Sequence, residues 1–119
     1  MPENGRMGRS EMPARMRADH RVPYEERFWR YSHNSGVTAA YAERDAGRQE
    51  KAAGMHGSAS DNAYDHDDRL AADWYEDMER YSLEAAAALR KLAAAARKLE
   101  AHYETRAKAA AQAAAEESA

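Results

Sequence analysis

From Leu70 onward the apolar positions settle into one repeat. Leu70, Trp74, Met78, Tyr81, Ala85, Leu89, Leu92, Ala96, Leu99, Tyr103, Ala107 and Ala110 recur with a mean step of about 3.64 residues. That step fits a straight α-helix better than the 3.5-residue repeat of a left-handed coiled coil. It predicts a long amphipathic helix over residues 63–115, roughly 80 Å from end to end at 1.5 Å per residue. Arg90, Lys91, Arg97, Lys98, Glu104 and Lys108 fall on the other side of it. Ser60, Asp61 or Asn62 supplies the N-cap, and Asp65, Asp67 and Asp68 crowd the first two turns, where the helix dipole favours acids. Neither Gly nor Pro occurs after Gly57. Glu116 and Glu117 make residues 116–119 an acidic tail.

The first half of the chain is less regular. Pro23 and the acids Glu25 and Glu26 open a helix, with Tyr24, Phe28 and Tyr31 on one face. Ser32-His33-Asn34-Ser35-Gly36 are poor helix formers and predict a break. The helix then resumes to residue 53, so residues 23–53 read as a broken first helix. Residues 54–62 (GMHGSASDN) read as a loop by composition. Residues 1–22 read as a disordered Arg- and Met-rich arm, punctuated by Pro2, Pro13, Gly5 and Gly8. Met7, Met12 and Met16 within it are candidate translation starts beside Met1.

Composition narrows the fold class. Ala accounts for 29 of 119 residues, while Leu, Val and Phe together make only 8 and Ile is absent. β-Sheet architectures need runs of β-branched residues, which are missing here. The expected fold is all-α: an elongated helical hairpin with a long Ala-rich C-terminal helix, coiled-coil-like, and a disordered arm. No stretch is long and apolar enough to cross a membrane, and the N-terminus lacks the apolar core of a secretory signal. With no Cys, disulfides and thiolate chemistry are excluded. A cytoplasmic location is the expectation.

A first helix of about 30 residues covers only half of the second. The stripe from Leu89 onward is then left without a partner in the chain. This points to a non-enzymatic assembly, scaffold or adaptor protein acting through helix–helix contacts, with a second copy or another helical protein as partner. Its candidate interface is Leu70, Trp74, Met78, Tyr81, Leu89, Leu92, Leu99 and Tyr103.

Charge raises a second reading. The net charge is only −3, but residues 61–84 sum to −7 and residues 85–115 to +4. Arg15, Arg17 and Arg21 in the arm, with Arg90, Lys91, Arg97 and Lys98 on the helix, could contact phosphates of a nucleic acid. A third reading is a small metalloprotein. His66, Asp73 and Asp77 share one helix edge, but only the two Asp, four residues apart, are close enough to chelate together. No cofactor, catalytic constellation, phosphate loop or small-molecule site is evident.

Overall fold

The computed structural model describes residues 23–118. Two helices make up this part of the chain: α1, Tyr24–Asp65, of 42 residues, and α2, Arg69–Ser118, of 50 residues. The fold is an all-α helical hairpin, with no strand among the described residues. It divides into two compact units, one of residues 34–99 and one that pairs the start of α1, up to His33, with the end of α2, from Glu100. The arm at residues 1–22 lies outside the described residues.

In the unit of residues 34–99, α1 buries Ala39, Ala42, Ala46, Ala53, Ser60 and Ala63, with Ser35, Gln49 and His56 half-buried on the same line. In α2, Ala72, Ala86, Ala93 and Ala96 are buried and Tyr75, Glu79, Ser82 and Leu89 half-buried. Both sets step alternately by three and four residues, a strict seven-residue repeat. The packed seam therefore follows a 3.5-residue period and not the straight-helix step that the larger apolar residues suggest. No large side chain is fully buried among the described residues, and the core is written in alanine and serine. Such small side chains bury little area each, but they let two helix backbones approach closely.

This packing explains why α1 is unbroken. Residues 32–36 and 54–62, expected as a break and a loop, are helical. Ser60 is buried, and its hydroxyl donates to the Ala72 carbonyl at 3.0 Å. Ala53 and Ala63, on either side of the expected loop, are buried as well. Further up the helix, Thr38 donates to the Asn34 carbonyl at 3.1 Å. Residues with weak helix propensity thus serve as small seam positions, and tertiary burial overrides the local preference.

The helices meet through a turn at residues 66–68, later than expected. The Asp68 amide donates to the Ala63 carbonyl at 2.9 Å and the Asp67 amide to the Tyr64 carbonyl at 3.0 Å. Asp67 has φ 57°. This is a Schellman end to α1, with Asp where glycine is usual. The Asp68 carboxylate then accepts the Ala71 amide at 3.1 Å, so Asp68 and not residues 60–62 is the N-cap of α2. Asp67→Gly is expected to stabilise the protein by about 1 kcal/mol, because glycine adopts this backbone without steric cost. The check is the urea midpoint at fixed protein concentration. An unmoved midpoint with an unchanged m-value would show that the Asp67 side chain offsets its own strain.

In the other unit, Tyr24, Phe28 and Tyr31 share a face of α1 as expected, and that face meets Tyr103. Ring centroids are 6.2 Å apart for Tyr24–Phe28, 6.5 Å for Phe28–Tyr103 and 5.4 Å for Tyr31–Tyr103. The Arg27 guanidinium lies 4.2 Å above the Tyr24 ring. Ser32 is buried and donates to the Glu100 carbonyl at 3.0 Å. Ala107 is fully buried. The helix continues to Ser118, so most of the expected acidic tail is the last turn of α2.

These contacts correct the expectation that the stripe from Leu89 onward lacks an internal partner. Leu89 is half-buried, and Ala93 and Ala96 are buried within their unit. Tyr103 and Ala107 are packed within theirs. The reason is length: α1 has 42 residues rather than about 30.

Candidate interaction surface

A two-helix hairpin has a seam and two flanks. In the unit of residues 34–99 the flanks differ in chemistry. One is formed by the positions that follow the seam. There Arg90 meets Glu50 through Nε–Oε2 at 3.2 Å and Nη2–Oε1 at 2.7 Å. Arg97 meets Glu43 in the same forked way, at 3.2 and 2.8 Å. The two pairs are one seven-residue repeat apart on each helix, so they fix the same register twice. The hydrogen bonds from Arg97 hold the Glu43 carboxyl below its ordinary pKa, and those from Arg90 do the same for Glu50. Glu50 in turn raises the pKa of the Arg90 guanidinium.

A pH dependence follows. A carboxyl whose folded pKa lies below its unfolded value adds stability above the unfolded value, and loses it as pH falls through the folded one. Glu43→Gln/Glu50→Gln is therefore expected to melt lower than wild type at pH 7. The difference should close as pH drops below about 4.5, the ordinary value for these groups. Melting curves from pH 7 to pH 3 measure it. A constant gap across that range would rule out the two bridges as its source.

The opposite flank is formed by the positions that precede the seam. On α2 these are Ala71, Trp74, Met78, Tyr81, Ala85, Ala88, Leu92, Ala95 and Leu99. They form a second seven-residue seam beside the first, and it carries no charge. Met78 is half-buried, whereas Trp74 is 57% exposed, Tyr81 59%, Leu92 50% and Leu99 48%. Trp74 leans on Tyr75 with centroids 5.1 Å apart. On α1 the same flank carries Tyr41 and Met55, both exposed, neither of which stands out in a search for apolar periodicity. Arg44 stacks over the Tyr41 ring at 4.7 Å.

The eight interface candidates thus divide. Leu89 belongs to the internal seam, and Tyr103 to the aromatic cluster of the other unit. Trp74, Met78, Tyr81, Leu92 and Leu99 form the outer seam. Leu70 is 84% exposed beside the turn, one position outside that seam.

The nucleic-acid candidates divide too. Arg90 and Arg97 are engaged by Glu50 and Glu43 across the hairpin, while Lys91 and Lys98 are exposed. Arg15, Arg17 and Arg21 lie outside the described residues. The metal candidates do not converge. His66 sits in the turn and not on a shared helix edge, with Nδ1 donating to the Asn62 carbonyl at 2.8 Å. Asp73 accepts the Tyr64 hydroxyl at 3.4 Å, and Asp77 pairs with Arg80 at 3.2 Å. Among the described residues no three His, Asp or Glu side chains are placed to hold a metal ion. None of the described helices is long and apolar enough to cross a membrane.

The unit at the helix ends carries an open groove of about 430 Å³, lined by Tyr24, Phe28, Arg106 and Ala110 among others. Comparison with protein-family models, with curated proteins and with solved structures finds no match.

Proposed function

We propose that this chain is a non-enzymatic helical assembly protein that works by helix–helix self-association through the outer seam of α2. The observation that carries this reading is the one-sidedness of the unit of residues 34–99. One flank is closed by two forked Arg–Glu bridges. The other presents Trp74, Tyr81, Leu92 and Leu99 half-exposed on a single uncharged line. Scattered surface hydrophobes are ordinary, whereas a contiguous apolar line rimmed by charge marks an interaction site.

Leu92 lies outside the α1–α2 seam, so Leu92→Asp separates assembly from folding. Leu92 is half covered already, so burying the rest contributes about 1 kcal/mol, and a symmetric dimer buries it twice. The substitution is expected to weaken self-association by at least about 10-fold, with helix content retained. Sedimentation velocity across a concentration series, with circular dichroism on the same samples, reads both. Wild-type protein that stays monomeric at every concentration would sink the reading. The nucleic-acid alternative draws less support, because the two helix arginines on its surface are already bridged to glutamates.

A further inference from the structure

We infer that the partner of the outer seam is the same seam of a second copy, running antiparallel about a two-fold axis between Ala85 and Ala88. The inference rests on the self-association reading above and adds its orientation and register. The order of side chains along α2 carries it. The seam reads Trp74, Met78, Tyr81, Ala85, Ala88, Leu92, Ala95, Leu99. Folded back on itself about its midpoint, it sets Trp74 against the partner's Leu99 and Met78 against the partner's Ala95. Tyr81 then meets the partner's Leu92, and Ala85 the partner's Ala88. The smallest residues fall at the axis, where they allow the closest approach, and each aromatic finds a leucine.

The charges beside the seam fit the same register. Asp77, Glu84, Lys91 and Lys98 recur every seven residues along its outer margin, and all four are exposed. The first two are acidic and the last two basic. In an antiparallel pair, margin positions meet with a two-residue offset from the seam layers. That offset brings Asp77 to the partner's Lys98 and Glu84 to the partner's Lys91, each twice by symmetry. A parallel pair would instead turn this margin toward the partner's opposite margin, with Glu84 beside the partner's Leu89, and would form neither ion pair. Asp77 also holds Arg80 within its own helix at 3.2 Å, so Glu84 and Lys91, nearest the axis, are the cleaner pair to test.

The experiment uses Glu84→Lys, Lys91→Glu and the double exchange in the full chain, with dimer dissociation followed by sedimentation at low salt. Each single variant is expected to dimerise about tenfold more weakly than wild type, because two attractions become repulsions. The double exchange restores wild-type affinity. An equimolar mixture of the two single variants associates as tightly as wild type, since each copy then meets its opposite. Added salt shrinks all of these differences.

Orientation has a second readout. The sequence contains no Cys, so Met78→Cys and Ala95→Cys introduce single thiols. The mixture is expected to form an interchain disulfide under mild oxidation, and neither variant alone should do so. A wild-type dimer that ignores the charge exchanges, or a Met78→Cys variant that links to itself, overturns the antiparallel register and leaves self-association standing. A wild-type monomer removes both.

Discussion

Ala46→Leu is expected to be among the most damaging single substitutions in this protein, although it adds apolar bulk to a helix that has little. Ala46 is fully buried, and the opposing helix presents Ala86 and Ala93 at 3% exposure. A seam of this kind holds its helices near contact distance, so three extra carbons have nowhere to go without moving a backbone. Overpacking typically costs about 1–3 kcal/mol. Here it also pulls on the Glu43–Arg97 and Glu50–Arg90 forks, whose residues flank Ala46 on α1 and whose short distances hold only at the native spacing. For a domain of this size the melting temperature should fall by roughly 5–15 °C. Ala94→Leu is the control: it makes the same chemical change on an exposed position of α2 and should be nearly neutral. Equal effects at the two sites, or a gain at Ala46, would mean that close approach through alanine is not what holds the hairpin.

The same seam accounts for what the sequence displays and what it conceals. The scarcity of β-branched and large aliphatic residues leaves helices as the available element, and the uninterrupted second half marks where one of them runs. The hidden part is the period. The stripe of large residues crosses between two seams: Trp74, Met78, Tyr81 and Ala85 lie on the outer one, Leu89 on the inner, Leu92 on the outer, Ala96 on the inner and Leu99 on the outer. Each seam keeps a seven-residue repeat, but a line drawn across both drifts to the period of a straight helix. Size misleads in the same direction, because the large side chains mark the outer face while the packed face is alanine. The signal for the core is instead the recurrence of Ala39, Ala46, Ala53 and Ser60 at intervals of seven. It runs straight through the Gly- and Ser-containing stretch that local propensity reads as a loop. Propensity describes an isolated segment, whereas Ser60 is held by the Ala72 carbonyl of the other helix.

Two glycines of α1 carry the largest stabilisation within easy reach. Gly47 and Gly54 are interior residues of α1, and a methyl group built on either meets no atom within 4 Å. Glycine in a helix interior costs about 0.8–1.0 kcal/mol relative to alanine, mostly through the freedom of the unfolded chain. Gly47→Ala/Gly54→Ala should therefore add about 2 kcal/mol, since the sites are two turns apart and share no contact. A rise in melting temperature of roughly 8–16 °C at fixed protein concentration would follow. Gly57 behaves differently. A Cβ there lies 2.6 Å from Oε2 of Glu79 and 3.1 Å from its Cδ, so the half-buried carboxylate must move first. Gly57→Ala should yield less than either of the other two. If all three substitutions stabilise alike, Glu79 is not held against Gly57. If the double variant gains nothing, the middle of α1 is not a settled helix in solution, and the seam through Ala53 and Ser60 is not continuous.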